Sequence, residues 1–152
     1  MKMQKNYIAS IVGAQFEAGQ SDQVQLIVPC FYKKTDEETI LSYSEFDKNN
    51  YNMEIESTLT IDKNGIATLE RESSQNKSKM TFEKGKRHIS GYATEYGTIM
   101  IGVYGKEISY DLDENGGVIE LNYNLDFNTE ELSSHAAIIK IKKGGSKDGE
   151  SS

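Results

Sequence analysis

The chain has 152 residues, 17 of them basic and 24 acidic, so its formal net charge is −7. This length fits one domain with a sizeable core. The acidic balance argues against nucleic acid and against an anionic membrane surface as partners, because both attract basic residues. The single cysteine, Cys30, cannot form an internal disulfide, and no apolar segment suits a signal peptide or a membrane span. We therefore predict a cytoplasmic protein.

Alternation of polar and apolar residues recurs along the chain and predicts strands with one face on a core. Residues with turn propensity separate the alternating segments, which are 7–18, 23–32, 38–46, 53–61, 66–72, 78–83, 87–96, 97–127 and 137–141. In the first segment Ile8, Val12, Ala14 and Phe16 share one parity. Pro29 interrupts the second segment and predicts an edge position or a bulge, since proline cannot donate to a ladder.

The clearest element is a long hairpin over residues 97–127. Its second arm alternates without a break from Ile119 to Phe127, and Asn115-Gly116-Gly117 supplies residues that tolerate a positive φ at the turn. Gly102 and Gly105 in the first arm predict bends or bulges. The polar residues 129–134 predict a short turn of helix or an ordered loop.

No helical period persists anywhere, and nearly all connections have hairpin length, so the strands form an up-and-down meander. A meander of this many twisted strands removes its edges most simply by closing. We predict an all-β fold, a single closed barrel of about eight strands over residues 1–143. A flexible polar tail is predicted over residues 144–152, where nothing can be buried.

Arg71 is the most informative charged residue. It shares a strand face with Ala67 and Leu69, which directs it toward the core if the register holds. A buried arginine needs an acidic partner or a bound anion, and Glu45 and Glu83 are the candidate partners. Two hypotheses stay open: Arg71 anchors an anion in a ligand cavity, or it forms a structural ion pair that closes one end of the barrel.

Other reactive side chains give weaker signals. Cys30 shares its strand face with Val28 and Tyr32, which favours a buried thiol over a nucleophile. The two histidines, His88 and His135, lack the spacing of a zinc site, and surface placement is the simpler interpretation. We predict no metal site, no cofactor and no enzymatic activity, because no phosphate-binding loop or catalytic constellation is visible.

Several segments, in order and spacing, resemble the DUF1934 family, and the resemblance covers residues from about Ile8 to Lys142. The matching segments are Leu41-Ser42-Tyr43-Ser44-Glu45, Arg71, Ser78-Lys79-Met80-Thr81-Phe82-Glu83-Lys84-Gly85, Tyr92-Ala93-Thr94-Glu95-Tyr96-Gly97, Asn115-Gly116-Gly117 and Leu121-Asn122-Tyr123. The resemblance implies a bacterial calycin-like or lipocalin-like β-barrel with no assigned activity. The recurring polar positions of the family correspond here to Tyr43, Glu45, Arg71, Glu83, Tyr92, Thr94 and Tyr96.

These observations lead to two expectations about function. The first is non-enzymatic binding of a small, partly apolar or anionic ligand inside the barrel. The candidate ligand-binding residues are Tyr43, Glu45, Arg71, Glu83, Tyr92 and Tyr96. The alternative is a protein-interaction module that acts as a homodimer through an outer sheet face or an edge strand. An interior packed solid by side chains would argue against the first expectation.

Overall fold

The computed structural model describes residues 6–17, 19–46 and 52–144, and these form ten antiparallel strands. The strands are β1 (Tyr7–Glu17), β2 (Gln20–Lys34), β3 (Glu38–Phe46), β4 (Glu54–Asp62), β5 (Ala67–Glu72), β6 (Lys77–Phe82), β7 (Arg87–Thr94), β8 (Gly97–Asp113), β9 (Gly116–Phe127) and β10 (Glu130–Lys143). Each strand pairs with its neighbours in sequence, and β1 also pairs with β10. The prediction of a closed up-and-down barrel is confirmed, with ten strands rather than about eight.

The flexible tail over residues 144–152 and the cytoplasmic location both remain predictions. Residues 145–152, which make up most of the predicted tail, lie outside the described part of the chain. Gly144 is described, and its amide donates a hydrogen bond of 2.8 Å to the carbonyl of Asn6. A search of the described residues finds no helix long and apolar enough to cross a membrane.

Alternate residues of the strands fill the interior of the barrel. In β9, for example, Ile119 and Leu121 are buried while Glu120 between them is exposed. The buried core contains Ala9, Val28, Cys30, Tyr32, Leu41, Leu59, Ile61, Ala67, Phe82, Val103, Ile119, Leu121, Ile139 and Ile141. Burial of these side chains is the main favourable contribution to folding, at roughly 1.5–3 kcal/mol for each large aliphatic or aromatic side chain.

One end of the barrel is closed by the tip of the β8–β9 hairpin. The hydroxyl of Tyr7 donates to the carbonyl of Glu114 at 2.8 Å, and that of Tyr32 donates to the carbonyl of Asp113 at 2.7 Å. The two rings meet edge to face, with centroids 5.1 Å apart. Burial, helped by nearby Asp113, raises the pKa of Tyr32 to about 12, so its hydroxyl remains a donor at physiological pH.

In β1 the face that packs on the core has the parity opposite to Ile8, Val12, Ala14 and Phe16. Ala9 is fully buried, whereas Phe16 is 51% exposed. Both faces of this strand carry apolar residues, so alternation alone does not identify the buried one.

Glycines control the geometry of the long hairpin. Its turn is Glu114-Asn115, and Gly116 and Gly117 already belong to β9, with φ angles of 115° and 143°. The predicted bulge at Gly105 is confirmed by a register shift between Gly105 and Glu107. Gly102 causes no register shift; a side chain there would instead collide with the Arg87–Asp126 ion pair that lies across it.

The connection between β9 and β10 corrects the prediction for residues 129–134. The chain turns at Asn128 and Thr129, whose φ angles are 54° and 68°, and β10 begins at Glu130. This segment is therefore a tight hairpin turn and a strand, because the amide of Thr129 is held at 3.2 Å by the carboxylate of Asp126.

The strands differ in length, and this leaves the barrel wall uneven. Strands β5 and β6 have six residues each, whereas β2 has fifteen and β8 seventeen. The pairing of β2 with β3 covers only Phe31–Lys34, while its pairing with β1 runs from Gln20 to Cys30. Pro29 lies opposite Ile8 in a part of β2 that, among the described residues, pairs with β1 alone, as expected for the predicted edge position.

Replacing Gly117 with alanine is expected to destabilise the barrel by roughly 2–5 kcal/mol, because the residue has a positive φ and a Cβ there would overlap the carbonyl oxygen of Asp111. Urea denaturation monitored by circular dichroism measures this. Gly85→Ala is the matched control: Gly85 has a φ of 77° but open space around its Cα, so only about 1 kcal/mol is expected. Equal losses in the two variants would contradict the close approach at Gly117.

Candidate functional site

The end of the barrel opposite the β8–β9 hairpin tip contains a pocket of about 310 Å³. We call it the mouth pocket. It lies where β3 and β5 end and where β4 and β6 begin. The residues that line it are Glu45, Phe46, Met53, Ile55, Arg71, Glu72, Ser73, Asn76, Ser78 and Tyr92. Three of the six predicted ligand-binding residues, Glu45, Arg71 and Tyr92, are therefore brought together in one place.

Arg71 is held at the edge of the core by two partners. Its Nη2 donates to Glu45 Oε1 at 3.1 Å, and its Nε donates to Ser57 Oγ at 3.3 Å. The sheet register explains the meeting, because Ser57 of β4 pairs with Arg71 on one side and with Tyr43 on the other. The Arg71 side chain is 41% exposed and that of Glu45 is 27% exposed, so the ion pair is only half-buried. Of the two proposed partners, Glu45 is the observed one.

Two tyrosines form the floor beneath Arg71. Burial raises the pKa of Tyr43, although the hydrogen bond with Ser57 and the nearby charge of Arg71 oppose the shift. Burial also raises the pKa of Tyr123, again against the charge of Arg71. Both phenols are consequently neutral at physiological pH and can donate hydrogen bonds. Tyr43 contacts the core and not the pocket surface, so the structure places it as support for Arg71.

Apolar side chains and Tyr92 complete the wall of the mouth pocket. Met53 is 9% exposed, Phe46 61% and Tyr92 40%. Ser90 lies on the same strand parity as Tyr92, one pleat deeper in β7. Its buried hydroxyl has no hydrogen-bond partner among the described residues. The pocket thus combines three apolar side chains and Tyr92 with six polar or charged side chains, so its lining is more polar than that of most small-molecule sites.

Glu83 and Tyr96, also predicted as ligand-binding residues, do not line the mouth pocket. Glu83 accepts a hydrogen bond from His88 Nε2 at 2.9 Å and forms an ion pair with Lys86 at the β6–β7 turn. The bond with His88 is the main reason that the pKa of Glu83 is lowered. Tyr96 is 92% exposed beside the β7–β8 turn. Both residues lie at turns, Glu83 between β6 and β7 and Tyr96 between β7 and β8, and neither turn contributes to the lining of the mouth pocket.

His135 is more buried than surface placement would require. Its ring stacks on that of Tyr123, with centroids 5.0 Å apart and an interplanar angle of 5°, and its Nε2 lies 2.8 Å from Ser133 Oγ. Burial lowers the pKa of His135, which keeps the ring neutral near pH 7. A second, smaller pocket of about 230 Å³ borders this pair. The shared inward parity of Tyr123 and His135 was the sequence signal for this cluster.

The charge of the mouth pocket is not positive. Arg71 is already paired with Glu45, and Glu72 adds a further carboxylate to the lining. Within the described ranges no cluster of three or more histidine, cysteine or acidic side chains could hold a metal ion. The groups that face the pocket can donate and accept hydrogen bonds and cover apolar surface.

Comparison with known proteins identifies a family and a fold. A family model described as "Domain of unknown function (DUF1934)" matches residues 9–139. A solved structure, the crystal structure of the ywiB protein from Bacillus subtilis, superimposes with a TM-score of 0.79 over 91% of this chain and 92% of that one, at 19% sequence identity. At this identity the likeness concerns the fold alone. A search of curated proteins found no match.

Replacing Arg71 with methionine is expected to lower the free energy of unfolding by about 1 kcal/mol or less, because half-exposed ion pairs contribute little. Urea denaturation measures the change. Leu59→Ala, in the packed core directly below, is the positive control and should cost about 2–5 kcal/mol. A loss of more than about 3 kcal/mol in the Arg71 variant would instead mark a structural pair that closes the barrel end.

Proposed function

The chain belongs to the DUF1934 family, and we propose that its barrel is a binding protein for a small, partly apolar molecule, which it holds in the mouth pocket without chemical conversion. The observation that carries the proposal is Arg71, a half-buried cation on the wall of a pocket of about 310 Å³ beside Met53, Ile55 and Phe46. This volume lies at the lower end of the range for small-molecule sites.

The distribution of packing supports a site at the mouth and not along the barrel axis. The interior toward the β8–β9 hairpin tip is filled by the core side chains, Phe82 and Leu41 among them. A ligand that runs the length of the barrel would have to displace this core. The mouth pocket lies above Leu59 and Tyr43, where the short strands β5 and β6 leave the wall low. We therefore expect a small ligand.

The electrostatics favour a neutral or zwitterionic polar group over a simple anion. Glu45 already neutralises Arg71, and Glu72 lines the same pocket. An anion would meet both carboxylates, and like charges at short range disfavour binding. Arg71 has five N–H donors, of which the geometry above uses two. A carbonyl, hydroxyl or zwitterionic head group can accept from the remaining donors while the apolar portion covers Met53 and Ile55.

Native mass spectrometry tests this proposal directly. The protein is purified gently from cells that produce it, without organic solvent, and its mass is compared before and after denaturation. We expect an added mass that leaves on denaturation. Arg71→Met should weaken retention of that mass by about ten- to a hundredfold, because it removes charge-assisted hydrogen bonds to the ligand.

Lys79→Met is the matched control. It removes the same charge from the exposed outer side of β6, opposite Glu70, and should retain the ligand as the unaltered protein does. An unmodified mass for every preparation, or equal retention by both variants, would refute the proposal. Conversion of the released compound by the unaltered protein would show that the pocket is catalytic. The cytoplasmic location stays a prediction.

A further inference from the structure

The first half of β2 is an edge within an otherwise closed barrel. Residues Gln20–Cys30 pair with β1, but the pairing with β3 starts only at Phe31. For Gln20–Pro29, no ladder joins the other side of the strand to any residue that the structure describes. The side chains along it are largely exposed, with Val24 at 52% and Ile27 at 66%. We call residues 20–29 the β2 edge.

The parity of the unpaired backbone groups follows from the ladder. In antiparallel pairs, opposite residues alternate between those that exchange two hydrogen bonds and those that exchange none. Across the β2–β3 turn, the amide of Thr35 donates to the carbonyl of Glu38 at 2.8 Å. The odd-numbered residues of β2 therefore direct their N–H and C=O groups toward the β3 side.

Pro29 leads independently to the same parity. It has no N–H to offer, and it lies opposite Ile8 of β1 without interrupting the register. A proline at this position costs the β1–β2 ladder no hydrogen bond if Ile8 and Pro29 are one of the pairs that exchange none. The unpaired side of the β2 edge consequently presents the amides and carbonyls of Ser21, Gln23, Gln25 and Ile27.

The composition of the β2 edge offers little protection against pairing. Exposed edge strands are usually guarded by lysine, by charged residues that point inward or by bulges. Between Gln20 and Val28 the only charged residue is Asp22, no lysine is present and the register with β1 is continuous. Pro29 limits the edge at one end only.

We propose that the β2 edge pairs with the β2 edge of a second copy of this chain, antiparallel and across a two-fold axis, to form a homodimer. The proposal is independent of what the mouth pocket binds. Alternate residues with free groups are self-complementary, since any two-fold antiparallel pairing of odd-numbered residues satisfies both copies. With Val24 at the axis, for example, Gln23 lies opposite Gln25 of the partner copy, and Ser21 opposite its Ile27.

Charge does not oppose the pairing within the ladder, but it sets a salt dependence. In the register with Val24 at the axis, Asp22 lies opposite the apolar Leu26 of the other copy, so no like charges meet in the new ladder. Each chain nevertheless carries a net charge of −7, which repels the other at long range. Added salt screens that repulsion, so the dimer should tighten as ionic strength rises.

Sedimentation equilibrium over a range of protein and salt concentrations tests the dimer. We expect a mass that rises from 17.0 kDa toward twice that value with concentration. Gln25→Pro removes an outward-directed amide without touching the ladder to β1, and it should raise the dissociation constant by at least about tenfold. Gln25→Ala is the matched control and should leave the constant nearly unchanged, because the backbone and not the side chain makes the contact.

Hydrogen exchange of the unaltered protein gives a second test that no variant can confuse. In dilute protein, the amides of Val24 and Leu26 should be protected by β1 while those of Gln23 and Gln25 exchange quickly. At high protein concentration the odd-numbered amides should become protected too. A monomer at every concentration and salt level would overturn the proposal. So would odd-numbered amides protected equally at all concentrations, because protection that does not depend on a second copy would come from within one chain.

Discussion

The pairing of β1 with β10 is the constraint on which the rest of the structure depends. It joins the two ends of the meander over ten residue pairs, from Tyr7–Lys143 to Phe16–Ser134. Without it, the sheet would have two full-length edges and an apolar face open to water. Closure brings Ala9, Ile139 and Ile141 into one core with residues from the middle strands. The mouth pocket and the β2 edge both exist because this closed wall is uneven.

Unequal strand length explains both features with a single cause. Strands β5 and β6 have only six residues each, so they are much shorter than β1, β2, β8, β9 and β10. Where β5 and β6 end early the interior opens, and Arg71, near the C-terminal end of β5, is partly exposed to solvent there. The first half of β2, in contrast, extends beyond its pairing with β3. A barrel of equal strands would have neither an open mouth of this shape nor a partly unpaired strand.

The sequence predicts the fold well because the period-2 signal is unambiguous in most strands. Residues from Ile55 to Ile61 in β4 and from Ile119 to Leu125 in β9 face as their alternation indicates, and Arg71 in β5 faces inward with them. The signal fails in β1, where Ala9 belongs to the core and Ile11 packs against it, but Ile8 and Val12 do not. Alternation also does not show where the chain leaves the pocket at a turn. For this reason the prediction of Glu83 and Tyr96 as ligand-binding residues together with Arg71 does not match the lining of the mouth pocket.

Site residues that depend on long-range register were the hardest to predict. Ser57 appears in the sequence as one polar residue on an apolar face, yet it lies between Tyr43 and Arg71 and binds Arg71. His135 and Tyr123 become a stacked pair only through the β9–β10 register. Alternation gives the face of each side chain, but which side chains share a level depends on bulges and turns, such as those at Gly105 and Asn128.

The Arg71–Glu45 ion pair is expected to contribute little to stability, which is consistent with the binding role that we propose for it. The Coulombic attraction within a half-buried ion pair offsets little more than the solvation that the two charges lose. Proteins with apolar residues of similar size in place of such a pair are often equally stable. The neighbouring Met53 and Ile55 show that this end of the barrel accommodates apolar side chains without difficulty. A cation held at a pocket wall by one carboxylate and one hydroxyl, with donors to spare, has a use when a polar group enters the pocket. The geometry of Arg71 thus supports the proposal of a recognition site in the mouth pocket.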